Sequence, residues 1–315
     1  MGKDGGMRES ETAATAPDLN PSPEPSPSLH ASPSPDPGPS PDPSPSADPS
    51  LHASLTSGAG AAGAAGAAGA AGLTEAEFLV RFDSAAQQFA ELIATADLDA
   101  TVPPCPDWTL ADLVAHLGRV HQWARHAVVA GNPNAEPIPA PGSGPALVDW
   151  YRDAAGALSA TLHQTDPQAP AWHFGPKPRT ASFWFRRQVH EITVHLWDAQ
   201  SSQGILAPID DGLARDGIDE LTSVFFPRQV RLGRTPPLAQ ALALETADRA
   251  DRWVLAGDGT GPASASDAEA RATVSGPAEP LLLLLWGRTG LDDPRLTVSG
   301  DENVAHAVLN HALTP

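Results

Sequence analysis

Four residues with chemistry to offer follow one another along a single stretch of the chain: Arg187, Glu191, His195 and Asp198, at spacings of four, four and three. In a helix such spacings stack side chains on one face, each about one turn above the last. Glu191 and His195 can then reach one divalent ion lying about 2 Å from each ligating atom. On spacing alone the pair reads equally as two metal ligands or as an ordinary Glu–His contact on a solvated helix face. Its flanks favour the first reading, because Phe183, Trp184, Val189, Ile192, Val194 and Leu196 leave this helix little polar surface. A buried carboxylate or imidazole needs a partner, since an unpaired charge in an apolar interior is costly.

His190-Glu191 opens like the H-E-x-x-H metalloprotease motif, but Val194 stands where the second histidine belongs, so that motif fails. His190 points about 100° away from Glu191 and is expected to pack or to hydrogen-bond. A third ligand must come from elsewhere. His116 lies in the apolar run Leu113-Val114-Ala115-His116-Leu117 and faces at least partly inward, as a core histidine or as that ligand. His121 and His126, in a more polar stretch, are weaker candidates. One Glu and two His leave coordination positions open, as a catalytic rather than a closed structural site does.

Helices must position these groups. Thr74-Glu75-Ala76-Glu77 forms a capping box, followed by Phe78, Phe82, Ala85, Phe89 and Leu92 at helical spacing. Pro103-Pro104-Cys105-Pro106 stops the chain, and Thr109-Leu110-Ala111-Asp112 starts a second helix that buries Leu113, Leu117 and Val120 and ends near Gly131. A third helix is expected over about 146–163 and a fourth over about 182–200, making a four-helix bundle within 73–205. A further helix over 210–226 leads through a connector (206–235) into 236–315. There, strand patterns at 240–246, 253–255, 272–274 and 296–298 interleave with helices at 278–286 and 302–313. The order β-β-β-α-β-α describes a small α+β domain.

Residues 1–72 contain no Phe, Trp or Tyr. A Pro-, Ser- and Asp-rich segment carrying a Ser-Leu-His-Ala-Ser duplication, with His30 and His52, gives way to a Gly-Ala-Ala repeat, and both are expected to be disordered. The net charge of −19 argues against nucleic-acid or anionic-membrane partners. The single cysteine, Cys105, excludes an intramolecular disulfide, and no signal peptide or membrane span is visible, so a cytoplasmic protein is expected.

Two segments carry a family resemblance. Cys105-Pro106-Asp107-Trp108-Thr109-Leu110-Ala111-Asp112-Leu113-Val114-Ala115-His116-Leu117-Gly118 resembles the opening motif of the mycothiol-dependent maleylpyruvate isomerase family, within the DinB superfamily. Arg187-Gln188-Val189-His190-Glu191-Ile192-Thr193-Val194-His195-Leu196-Trp197-Asp198 resembles its second motif. Leu284-Leu285-Trp286-Gly287-Arg288 and Val298-Ser299-Gly300-Asp301 are similar to its sterol-carrier-like carboxy-terminal domain.

The resemblance implies that His116, Glu191 and His195 bind zinc or another divalent metal. It implies mycothiol, a low-molecular-weight thiol, as cofactor and a small molecule as substrate. The chemistry implied is thiolate addition to an activated cis double bond, rotation and release, an isomerase or thiol-transferase reaction. With Cys105 placed before the helix, an external thiol is the natural nucleophile. Arg187 and Asp198 are expected to hold the ligands, and Arg288, the arginine that falls on a motif, to serve the substrate. The alternatives are a non-catalytic metal-binding regulatory module and a small-ligand carrier built on the same fold. Removal of residues 1–72 is expected to leave metal content unchanged, as elemental analysis of the truncated protein would test.

Overall fold

The computed structural model describes residues 72–249, 251–259 and 270–314. The expected disorder of the Pro/Ser- and Gly/Ala-rich tail, which holds His30 and His52, lies outside the described residues.

The first helix, α1 (Glu75–Ile93), begins at a reciprocal capping box, in which the Thr74 hydroxyl accepts from the Glu77 amide and the Glu77 carboxylate accepts from the Thr74 amide at 2.8 Å. It buries Phe78, Phe82, Ala85, Phe89 and Ile93; Leu92, read as core, is only half-buried. The second, α2 (Leu110–Ala130), starts from the same device built on Thr109 and Asp112 and ends at Gly131. The φ of +67° at Gly131 suits a residue without a Cβ. The bundle is completed by α3 (Pro145–Gln164) and α4 (Ser182–Ser202), with α1 packed on α4, and α2 on both α3 and α4. Its core centres on Phe82, Phe89, Leu113, Leu117, Tyr151, Leu158 and Trp184.

The proline-rich stretch before α2 is more than a stop. Val102 and Cys105 pair across a short antiparallel ribbon, β1 (Thr101–Val102) and β2 (Cys105–Thr109). Proline removes a ladder donor, which a two-stranded ribbon with open edges tolerates. The ribbon runs straight into α2 and turns Cys105 inward.

The helix expected over 210–226 is interrupted. α5 (Asp211–Glu220) passes into a π turn at Leu221–Phe225 before α6 (Phe226–Arg231). Pro227 at the start of α6 cannot donate to a preceding carbonyl, and the wider turn stands immediately before it. A four-stranded sheet follows, in the order β4-β3-β5-β6, from β3 (Leu238–Thr246), β4 (Arg252–Gly257), β5 (Ala272–Gly276) and β6 (Thr297–Gly300). The β3–β5 pair is parallel, with Leu244 opposite Val274, and the other pairs are antiparallel. With α7 (Ala278–Leu285) and α8 (Glu302–Leu309) the chain order is the expected β-β-β-α-β-α, although α8 ends four residues short of the predicted Leu313. Leu281–Leu285 of α7 are buried in the second core, against which Phe174 and Trp197 of the helical region also pack.

No helix among the described residues is long and apolar enough to cross a membrane.

Packing is close where α2 meets α3. A Cβ built on Gly118 would lie 2.1 Å from a ring carbon of Trp150. In a helix interior Gly→Ala ordinarily gains about 1 kcal/mol, whereas overpacking a filled site costs about 1–3 kcal/mol. At 2.1 Å from a bulky indole the second effect wins. Gly118→Ala is expected to lower the thermal midpoint, and a midpoint at or above that of the wild type would refute the packing argument.

Candidate metal centre

The geometry starts from α4, most of whose residues are buried. Trp184, Phe185, Val189, Ile192 and Val194 fill the surrounding core, while Arg187, Glu191, His195 and Asp198 form the polar line expected from their spacing. Across from it, the capping box of α2 places His116 opposite Glu191. The Glu191 Oε1 atom lies 3.2 Å from His116 Nε2 and 3.4 Å from His195 Nε2. The two imidazoles meet edge to face, with ring centroids 5.0 Å apart. Ligating atoms of all three residues lie within 4.8 Å of one another, and this is the only such group of His, Cys, Asp or Glu among the described residues.

This donor set suits a divalent ion such as zinc, which takes imidazole nitrogen and carboxylate oxygen and in open sites keeps positions for an outside ligand. The atoms facing away from the centre support the fit. Glu191 Oε2 accepts from Arg187 Nη2 at 2.7 Å, which leaves Oε1 to face the histidines. His195 Nδ1 meets Asp198 Oδ2 at 3.0 Å, the carboxylate–histidine arrangement that fixes which ring nitrogen faces a metal. His116 Nδ1 is buried without a hydrogen-bond partner, and the ring packs 5.1 Å from that of Trp108.

Electrostatics follow this wiring. Burial alone would raise the Glu191 carboxyl, but its bonds to His116 and His195 and the charge of Arg187 outweigh burial and hold it well below the usual carboxylate range. Burial would lower His195, yet Asp198 and Glu191 raise it on balance. At His116 burial prevails over the Glu191 bond and lowers it, favouring a neutral imidazole.

Each of the outward partners is tied to another element. Asp198 receives Arg288 Nε at 3.0 Å and Arg288 Nη2 at 2.7 Å, a bidentate contact from the segment after α7. The same guanidinium donates to the Trp286 carbonyl and lies 3.8 Å from Cys105 Sγ. Arg288, expected to serve the substrate, is bound to Asp198, the residue that meets His195 Nδ1. Arg187, 3 % exposed, also donates to Glu220 of α5 and lies over the Phe225 ring at 4.8 Å.

Among the remaining histidines, His190 bonds Asp216 at 2.6 Å, His121 bonds Gln188 at 2.7 Å and His126 bonds Asn132 at 3.0 Å. None joins the centre. Sequence reasoning missed Glu220. Its signal was present all the same: Leu213, Gly217, Glu220 and Val224 recur at spacings of four, three and four, which puts a carboxylate in an apolar stripe.

The family model for the mycothiol maleylpyruvate isomerase N-terminal domain matches residues 79–200, and that for the corresponding C-terminal domain matches 212–307. Two solved structures of the mycothiol-dependent maleylpyruvate isomerase are similar. The first, a histidine-to-alanine mutant of that protein, shares 15% identity at a TM-score of 0.53, and the second 16% at 0.52. Each alignment covers 73% of this chain and 95% of the other, a likeness of fold at that identity. No curated protein matches the chain. Carrying both domains in order, and together over most of its length, the chain belongs to the mycothiol-dependent maleylpyruvate isomerase family, a family of isomerase enzymes.

Proposed function

We propose that this protein is a zinc-dependent enzyme that uses mycothiol, or a closely related low-molecular-weight thiol, to isomerise a small substrate about an activated cis double bond. The observation that carries this reading is the convergence of His116, Glu191 and His195, with one carboxylate oxygen facing both imidazoles. Zinc held there would supply Lewis acidity, which favours the thiolate form of a bound thiol at neutral pH.

The chain's own residues do the rest. Arg187 holds Glu191 by its outer oxygen, and Asp198, itself held by Arg288, orients His195 through Nδ1. The three ligands remain slightly open, with side-chain exposures of 12%, 14% and 10% for His116, Glu191 and His195, so an outside thiol has access. Cys105, the one cysteine, is buried with its Sγ 3.8 Å from Arg288 Nη2 and is not among the three clustered ligand residues, so the reacting sulfur is assigned to an outside thiol. In the reaction the thiolate sulfur forms a bond to one alkene carbon as the π pair moves onto the activating carbonyl, giving an enolate whose collapse later returns the pair. Rotation about the new single bond follows, and expulsion of the same thiolate restores the alkene in the trans form.

Purified protein is expected to hold about one zinc or similar ion per chain, and His195→Ala to lose it. Elemental analysis that finds no metal in either protein would overturn the reading. Mycothiol titrated against the zinc-loaded protein should bind saturably; no binding would leave only a non-catalytic metal module. Asp198→Asn is expected to weaken zinc binding by about 10–100-fold in chelator competition, the usual cost of losing an outer partner of a ligand. It should also lower thermal stability, because it leaves the buried Arg288 without its counter-charge. Unchanged zinc affinity would remove Asp198 from the centre.

A further inference from the structure

We infer that Glu220 is a positioning residue for the centre, acting on Glu191 through Arg187; this rests on the metal reading above. Glu220 is 2 % exposed and stands at the last position of α5, outside the bundle helices that supply the ligands. It accepts from Nη1 of Arg187, whose Nη2 donates to Glu191 Oε2 at 2.7 Å. The guanidinium is therefore shared between two carboxylates, one on each edge of its fork.

The π turn that begins at the next residue completes the clamp by placing Phe225 against the guanidinium, 4.8 Å from centroid to Cζ. Trp286 lies 5.8 Å away from the same group. A π turn inside a helix frequently marks a functional position. Here it lets one short segment supply both the anion and the aromatic face that immobilise Arg187.

This arrangement does two things for Glu191. Arg187 is held at the outer oxygen, so Oε1 is the atom left facing the histidines. Glu220 also takes up part of the positive charge that Arg187 would otherwise direct at Glu191. Without it, the guanidinium would compete fully with a metal for the Glu191 electrons, and a nearby negative charge would be gone. Both effects weaken binding of a cation, so the sign of the prediction does not depend on which is larger.

α5 offers an internal control. Asp216, one turn earlier, accepts from Arg186 Nε and bonds His190 Nε2, both at 2.6 Å, and so ties α5 to α4 without touching Arg187. If Glu220 served only to fasten the two helices, Asp216→Asn and Glu220→Gln would behave alike.

The test uses the full-length protein. Zinc affinity is measured by chelator competition, and the absorption spectrum of the cobalt-substituted protein reports ligand geometry. Glu220→Gln is expected to weaken zinc binding by about 10–100-fold and to alter the cobalt spectrum, while Asp216→Asn leaves both at wild-type values. Equal zinc affinity and an unchanged spectrum in Glu220→Gln would overturn the inference, as would equal losses in the two variants. Should Glu220→Gln fail to fold, Glu220→Asp keeps the charge but shortens the reach. Its cobalt spectrum is then expected to shift, and a wild-type spectrum overturns the inference. A wild-type protein that binds no zinc overturns the metal reading itself, and this inference with it.

Discussion

A carboxylate buried on α4 sets the terms for everything around it. Glu191 lies on a helix whose other faces are packed with Trp184, Phe185, Val189, Ile192 and Val194, and with its side chain only 14% exposed solvent stabilises its charge little. An ionised group in such a place must be matched by partners with good geometry, because desolvation otherwise exceeds what pairing returns. The fold meets that demand from three directions. α2 brings His116 to one oxygen, α4 itself brings His195 one turn away, and Arg187 takes the other oxygen. The demand then passes outward: Arg187 and Asp198 are themselves buried and draw Glu220 and Arg288 into contact.

The charge count of this network bears on what it can hold. Arg187 and Arg288 contribute two positive charges; Glu191, Asp198 and Glu220 contribute three negative ones. Counted by themselves, with neutral imidazoles, these five groups sum to one negative charge in a poorly solvated place. A proton drawn to His195 would neutralise it, in line with the raised affinity of that ring for a proton. Under the metal reading a divalent cation would instead leave the cluster with one net positive charge. That is a suitable surrounding for an anionic sulfur, even in a chain whose overall charge is −19.

Much of this was legible along the chain. Thr74 with Glu77 and Thr109 with Asp112 announce helix starts through chemistry contained within four residues, and the strand alternation after Pro236 needs no tertiary context either. The polar line on α4 could be read because its neighbours are so apolar. What escaped was of another kind. The β1–β2 ribbon hides behind Pro103, Pro104 and Pro106, which read locally as a stop, because only the pairing of Val102 with Cys105 turns a stop into a ribbon. The π turn has no local signature beyond the nearby Pro227. Glu220 was passed over because Asp211, Asp216 and Asp219 around it make α5 look like a solvated acidic helix. Its partner Arg187 lies 33 residues earlier in the chain. Arg288 was visible through its motif alone, and the motif said nothing of Asp198.

A gradient of exposure across the cluster sets the bracing charges apart from the three candidate ligands. Arg187, Glu220 and Asp198 have side-chain exposures of 3%, 3% and 0%, while the three candidate ligands keep between 10% and 14%. A structural metal site closes over its ion with four protein ligands, and buried charges behind it would then add cost without purpose. Here the bracing charges lie deepest and the candidate ligands are the more exposed. That ordering is what a site needs if its ligands must stay fixed while an outside molecule comes and goes. It also explains why elements beyond the bundle are involved. α4 carries Glu191 and His195 while α2 supplies His116, and the two α4 residues are braced through Arg187 and Asp198 by α5 and by the segment that follows α7.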